Sequence, residues 1–211
     1  MIKCVIFDFD GTLVKSNEIK IRVFYEVTKD LVGADSILDK ILSRPSTGDR
    51  YSVFDLLIAD LNLSINSFVD ASQLLNSYTS ICENEISRAP ETKGAKKTLE
   101  ELKKIGTKVV ISSATPKDTL KKIVDMRGWM GMIDIVLGSP NSKFDHIQTI
   151  LEKNKYSISD IVYVGDSEVD REAALSVGCK FIAIGEDWSR FISRPDTILE
   201  NLENFTKELK L

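Results

Sequence analysis

From Glu91 onward, segments whose apolar residues recur at helical spacing alternate with short runs rich in β-branched residues. That alternation is the tightest constraint on the fold, because a strand followed by a crossover helix and another strand makes a parallel sheet, and a parallel sheet has to be covered by helices. The pattern predicts a helix near 93–105, a strand at 107–112, a helix near 117–126, a short strand at 133–137 and a helix near 143–154. It continues with a strand at 160–164, a helix near 168–177, a strand at 180–184 and a C-terminal helix after Pro195. One more buried strand, Lys3 to Phe7, opens the chain ahead of the Gly11-Thr12 breaker.

Residues 16–88, in between, read as all-helical. Ser16 is placed as an N-cap before Ile19, Val23, Phe24 and Val27. Beyond the polar break Ser43-Arg44-Pro45-Ser46-Thr47-Gly48 come two further amphipathic segments, one with Val53, Phe54, Leu57, Ile58 and Leu61, the other with Phe68, Leu74, Leu75, Tyr78, Ile81 and Cys82. The expected architecture is therefore α/β: an open five-stranded parallel sheet flanked by helices, built from 1–15 and 89–211, with an all-helical domain, 16–88, inserted after the first strand. A length of 211 residues suits one full domain plus such an insertion.

Composition narrows the function classes. With 43% apolar and 28% charged residues the chain is an ordinary globular one. A balance of 28 basic against 32 acidic residues, net −4, argues against a nucleic-acid partner, which would call for a surplus of positive charge. No apolar run approaches the roughly 20 residues needed to span a bilayer, and Ile2, Val5, Ile6 and Phe7 enter a strand directly with no secretory leader pattern. Cys4, Cys82 and Cys179 are odd in number and scattered through apolar surroundings, which suits reduced thiols and a cytoplasmic protein. A single histidine and the lack of any CxxC pair argue against structural zinc.

Ligands of open α/β sheets gather beyond the carboxyl ends of the strands. The first strand ends in Asp8-Phe9-Asp10-Gly11-Thr12, where carboxylates at i and i+2 point the same way and repel unless a cation neutralises them. The strand at 107–112 ends in Ser112-Ser113-Ala114-Thr115, hydroxyls and backbone amides suited to an anion before the helix that starts at Pro116, with Thr115 as that helix's cap. Lys143 is a lone cation at an element boundary, and Gly165-Asp166-Ser167 ends the strand at 160–164 with Asp170 one turn later. Carboxylates for a hard divalent ion, a hydroxyl and a lysine for phosphate oxygens, and a carboxylate nucleophile are together what phosphoryl transfer needs.

With these residues in place the chain resembles the haloacid dehalogenase superfamily of phosphatases. The family's DxDGT motif stands here as Asp8, Asp10, Gly11 and Thr12. Its strand-ending hydroxyl matches Ser113, with Ser112 leaving the register open by one, its lysine matches Lys143, and its GDxxxD matches Gly165, Asp166 and Asp170. The resemblance covers 1–15 and 89–188, and the helical insertion stands where the family carries a helical cap. It implies that Asp8 is a nucleophile giving an aspartyl-phosphate, that Asp10 is general acid and base, and that Ser113 and Lys143 hold phosphoryl oxygens. It further implies Thr12, Ser112 and Ala114 beside the phosphate, and Mg2+ on the Asp8 carboxylate, the Asp10 backbone carbonyl and Asp166, with Asp170 orienting that shell. Lys15 departs from the acidic residue many relatives carry after the first motif, so a relative's substrate does not transfer on family likeness. The stretch from Val110 through Gly138-Ser139-Pro140 to Lys143 is most similar to sugar-related and phosphoglycolate-phosphatase-like members.

Each of these residues also has a plainer role: turn formers at Asp8–Gly11, helix-capping hydroxyls at 112–115, a solvated lysine at 143, and helix N-terminal acids at 166 and 170. Their joint occurrence in order is what favours the functional reading. His146 reads as a surface or packing residue. Arg44 and Arg50, flanking the polar break in the insertion, are placed as contacts to a distal anionic or hydroxylated group of the substrate. The expected function is a Mg2+-dependent phosphatase acting on a phosphomonoester of a small metabolite, as a monomer or homodimer. A phosphomutase with the same motifs and a catalytically silent binding module are the alternatives. Asp10 disfavours a haloalkanoic dehalogenase and a phosphonatase.

Overall fold

The computed structural model describes residues 2–44, 49–64, 71–186 and 188–210. In chain order, β1 (Cys4–Phe7) leads to four helices, α1 (Asn17–Thr28), α2 (Ala34–Leu42), α3 (Arg50–Ser64) and α4 (Ala71–Arg88). Alternation then begins with α5 (Ala95–Lys104), β2 (Lys108–Pro116), α6 (Lys117–Met126), β3 (Ile135–Ser139) and α7 (Lys143–Asn154). It ends with β4 (Ile161–Gly165), α8 (Glu168–Ser176), β5 (Lys180–Ile184), β6 (Ile198–Leu199) and α9 (Phe205–Glu208). Contacts divide the chain into a unit of 1–16 with 87–211 and a unit of 17–86.

All strands of the first unit pair in parallel, in the order β3-β2-β1-β4-β5-β6. The chain moves outward from β1 through β2 to β3, then crosses back to β4 and outward again to β6. The direction of winding therefore reverses between β1 and β4, and the crevice beyond their carboxyl ends is where such a sheet binds ligands. Central β1 is fully buried, which explains why its sequence is a continuous apolar run rather than an alternating one. Cys4 and Ile6 share one cluster with Ile147 and Ile150 of α7 and Ala174 of α8. Phe7 faces the other way and meets Phe205 of α9 at 5.5 Å.

Two expectations are corrected. The sheet has a sixth strand, because after Pro195 the chain stays extended and Thr197 and Leu199 accept the backbone N–H groups of Ala183 and Gly185. The C-terminal helix is accordingly reduced to the short α9, and two-residue β6 is too brief to show a period. Strand β2 also runs to Pro116, beyond its expected end, with an irregularity in its pairing to β3 between Ser112 and Pro116. Ser113 to Thr115 therefore lie on extended chain.

The second unit is held by an aromatic cluster, with Phe24, Phe54 and Tyr78 at centroid separations of 4.3 to 5.6 Å. Leu38, Ile41, Leu57, Leu61 and Cys82 are buried with them. Phe68 and Pro45 to Gly48, used in the sequence reading, lie outside the described residues. The chain leaves the first unit at Ser16 and re-enters it at Ser87. The two passages are tied side by side by Lys15 N–H to Pro90 O (2.9 Å) and Thr92 N–H to Leu13 O (3.0 Å). No helix among the described residues is long and apolar enough to cross a membrane. The three cysteines are buried, and burial pushes Cys4 up to about 12 and Cys179 to about 11, far from the reactive thiolate.

Candidate active site

The loop after β1 sets the first two carboxylates. Gly11 takes a φ of 85°, a left-handed conformation open to glycine, and the turn closes through Gly11 N–H to Val14 O and Val14 N–H to Phe9 O. Asp8 is anchored by its own N–H on Val164 O of β4 (2.8 Å), so the carboxyl ends of β1 and β4 are locked together.

Lys143 is the first residue of α7. Ser142 and Asp145 form a capping box that fixes where that helix starts, Ser142 Oγ accepting the Asp145 N–H and the Asp145 carboxylate accepting the Ser142 N–H. A lysine in a helix's first turn opposes the helix dipole. Here two carboxylates outweigh that cost: Lys143 Nζ donates to Asp8 Oδ1 at 2.8 Å and to Asp170 Oδ1 at 2.6 Å. Burial works against the ammonium charge, but Asp170 and Asp8 hold the Lys143 pKa well above its ordinary value.

Asp170 is fully buried, and its second oxygen accepts from Ser167 Oγ at 2.5 Å. Its approach to the strand end requires Gly165: a Cβ there would stand 2.4 Å from Asp170 Cβ and Cγ. Oxygens of Asp8, Asp166 and Asp170 lie within 4.8 Å of one another. Burial pushes the Asp8 carboxyl well above its usual range, Lys143 pulls it back, and Asp170, Asp166 and Asp10 push it further up. A buried, all-oxygen donor set under that mutual repulsion fits a hard divalent cation, which would reverse the local charge balance.

Asp10 faces a different set of groups. Its Oδ1 accepts from Ser16 Oγ at 2.7 Å, and its Oδ2 accepts from Ser113 Oγ and Thr115 Oγ1, each at 3.1 Å. Ser113 Oγ also accepts the Thr115 N–H at 3.0 Å. The expected capping role of Thr115 is thereby corrected, since its hydroxyl serves Asp10 while Pro116 stands before α6 without a side-chain cap, and the Ser16 hydroxyl is likewise bonded to Asp10. A hydroxyl can donate to a carboxylate or accept from a carboxylic acid, so this shell suits a group that changes protonation state.

Ser112 projects from the opposite face of β2 into a buried chain. Tyr163 OH donates to Ser112 Oγ (3.2 Å), Ser112 Oγ meets His146 Nδ1 (2.9 Å), and His146 Nε2 meets Gly138 O (3.3 Å). All these groups are satisfied if His146 is neutral with its proton on Nε2. Burial lowers the His146 pKa, the Gly138 carbonyl pulls it up, and Lys143 lowers it again. His146 is therefore a core residue that ties α7, and with it Lys143, to β2 and β3.

The structure thus brings Asp8, Asp10, Ser113, Lys143, Asp166 and Asp170 to one end of the sheet. Buried Thr12 joins them, its hydroxyl 3.5 Å from Asp166 Oδ1, and exposed Ala114 stands near the end of β2. Arg50 is turned into the helical unit, over the Tyr78 ring at 5.1 Å and donating to Thr79 Oγ1 at 3.2 Å, and Arg44 is exposed beyond α2. Thr115, read from the sequence as an anion-binding hydroxyl and cap, is bonded to Asp10, and Ser16, Ser167 and Arg190, whose guanidinium donates to Asp166 Oδ2 at 2.5 Å, are site neighbours that sequence reasoning missed. Serine 167 was within reach of it, lying between the two acids of the fourth motif, but Arg190 is 24 residues from its partner with no pattern linking them.

Known proteins are similar to this chain over nearly its whole length. A phosphoglycolate phosphatase of Vibrio parahaemolyticus serotype O3:K6 is 26% identical over 95% of this chain and 93% of its own length. A protein of Caldanaerobacter subterraneus subsp. tengcongensis that carries the name of a pyrophosphatase is 24% identical over 99% of this chain and 95% of its own. Among solved structures, a predicted phosphoglycolate phosphatase from Haemophilus somnus 129pt superposes with a TM-score of 0.76 at 20% identity, covering 99% of this chain and 98% of that one. The family model for haloacid dehalogenase-like hydrolases matches residues 5–184, a span that holds all four motifs, and the chain belongs to that family.

Proposed function

We propose that this chain is a Mg2+-dependent phosphatase that hydrolyses the phosphomonoester of a small metabolite, a sugar phosphate or a phosphoglycolate-like acid, through a phosphorylated Asp8. The observation that carries the reading is Lys143 Nζ held between Asp8 and Asp170 at the mouth of the β1/β4 crevice. An Asp8 oxygen forms a bond to phosphorus as the bond from phosphorus to the substrate oxygen breaks. Lys143 offsets the charge that would otherwise keep two anions apart. Asp10 gives its proton to the leaving oxygen, then takes one from the water that attacks the phosphoryl group and frees Asp8, a role worth about 10²–10⁴-fold. Ser113 exchanges its bond to Asp10 for one to a phosphoryl oxygen. Asp8, the Asp10 backbone carbonyl and Asp166 would hold the metal, while Asp170, with both oxygens engaged, orients Lys143 and the shell. The metal supplies charge stabilisation to the phosphoryl oxygens and shields the carboxylates from one another.

The test is release of inorganic phosphate from p-nitrophenyl phosphate with and without Mg2+, for wild type and Asp8→Asn. Turnover that needs both Mg2+ and Asp8 is expected. Turnover that survives Asp8→Asn would overturn the mechanism. A phosphate-panel screen then fixes the substrate, and recovery of an isomer without phosphate release would indicate a mutase instead.

A further inference from the structure

Arg190 lies between β5 and β6, and its half-exposed guanidinium pairs with the buried carboxylate of Asp166. The segment around it is strapped to the first turn of α8. Ile192 N–H donates to Glu168 Oε2 at 3.1 Å, Arg171 donates to Ser193 O at 2.7 Å and Ser193 Oγ at 3.1 Å, and Phe191 packs its ring on Phe181 at 5.9 Å. Arg190 is therefore aimed at Asp166 by a strap fixed to the same helix start that carries Asp170.

The two cations of the site differ in one respect. Lys143 is nearly enclosed, its side chain 12% exposed, and reaches two carboxylates, whereas the Arg190 side chain is 52% exposed. If Arg190 lets go of Asp166 its charge passes into water, which costs little, while Lys143 has no comparable exit. An Asp166 oxygen that accepts from a guanidinium has spent that lone pair, and a positive charge beside it repels a second cation.

We propose that Arg190 is an internal counter-cation that competes with the divalent ion for Asp166 and so sets how tightly this chain holds its metal. The inference rests on the reading of Asp8, the Asp10 backbone carbonyl and Asp166 as a metal site. It assigns the strap a consequence too: when the ion takes Asp166, Arg190 is displaced and the chain around it moves. Trp188 sits two residues before Arg190 and is partly exposed, whereas the other tryptophan, Trp129, is buried against Phe9 and Arg127. Trp188 therefore reports the displacement.

The experiment is calorimetric titration of MgCl2 into the whole chain at low ionic strength, without substrate, alongside tryptophan emission, for wild type, Arg190→Gln, Arg190→Ala and Asp166→Asn. Both Arg190 variants should bind Mg2+ roughly two- to five-fold more tightly than wild type, as removal of a competing, half-exposed ion pair predicts. Asp166→Asn should lose most of the binding. Wild-type emission should change on saturation, and the change should shrink in both Arg190 variants. Mg2+ affinity that is unchanged or weaker in folded Arg190→Gln and Arg190→Ala, with wild type binding normally, overturns the role of Arg190 and leaves the metal site standing. Absence of Mg2+ binding in wild type overturns both.

Discussion

Gly165→Ala puts the smallest possible probe between the strand end and the acid that orients Lys143. The added Cβ would lie 2.4 Å from both Cβ and Cγ of Asp170 and 2.8 Å from its Oδ2, where ordinary contact begins at 3.4 Å. Asp170 would have to retreat by roughly 1 Å, and overpacking of a well-filled interior costs about 1–3 kcal/mol. The retreat also stretches two short bonds to a charged group, from Lys143 at 2.6 Å and Ser167 at 2.5 Å. Hydrogen bonds to charged groups are worth about 1.5–3 kcal/mol when lost outright, so a partial loss brings the expected destabilisation to about 2–4 kcal/mol. Urea unfolding followed by circular dichroism measures it, with Gly131→Ala as control, since nothing lies within 4 Å of a Cβ at that position. The control should stay within about 0.5 kcal/mol of wild type. Because Lys143 follows Asp170, kcat on p-nitrophenyl phosphate should fall by about 10²-fold, the order of loss that a 1 Å misplacement brings. If Gly165→Ala unfolds at the same urea concentration as Gly131→Ala and keeps its kcat within threefold, the argument that this glycine exists for Asp170 is wrong.

The adjacent serines of β2 should separate cleanly. Ser113→Ala, which strips a donor from Asp10 and the acceptor from the Thr115 N–H, should lower kcat/KM at least tenfold, whereas Ser112→Ala leaves the Tyr163 hydroxyl and His146 Nδ1 unpaired and should leave kcat/KM less affected, each costing about 1–3 kcal/mol in urea unfolding. The lowered pKa of His146 carries a sign: above pH 6.5 both folded and unfolded chains hold it neutral, and below 6.5 the unfolded chain takes up a proton that the folded chain refuses until its lower pKa is reached. Wild type should therefore lose stability on acidification from pH 7, by at most about 1.4 kcal/mol per pH unit from this group, and His146→Gln should show a shallower dependence in urea titrations at pH 7, 6 and 5; equal slopes would refute it.

The alternation of strand and helix was legible because a parallel sheet buried on both faces leaves unbroken apolar runs such as Cys4 to Phe7, and α6, α7 and β5 fall where their periodicity places them. Asp8, Lys143 and Asp166 were legible because each stands at the end or start of an element, and Asp170 because it lies in the first turn of the next helix, and elements are what periodicity locates. What the pattern hid is what depends on tertiary register. Two-residue β6 has no period of its own and exists because β5 offers an open edge. Whether Ser112 or Ser113 faces Asp10 is a one-residue question of strand register, decided by pairing with β1 and β3. Thr115 reads as a helix cap by its place before Pro116, yet β2 stays extended through it and delivers the hydroxyl to Asp10. Arg190 joins Asp166 across a loop, and no local rule relates them.

Charge explains why these residues have to sit at the β1/β4 switch point. Asp8, Asp10, Asp166 and Asp170 are each less than a tenth exposed, and facing them are Lys143 and Arg190. Among the described residues these four carboxylates against these two cations leave a formal deficit of two positive charges, which a buried cluster tolerates only through protonation, as the raised Asp8 pKa signals, or through a further cation. Protonation would disable Asp8 in its proposed nucleophilic role; a divalent ion in place of the displaced Arg190 narrows the deficit to one, and a proton on Asp10 closes it with Asp8 ionised. Asp10 is bonded by the hydroxyls of Ser16, Ser113 and Thr115, which can serve either protonation state, as its proposed acid–base role requires. The division of labour proposed for Asp8 and Asp10 matches what each faces: a lysine and a candidate metal cluster on one side, three hydroxyls on the other.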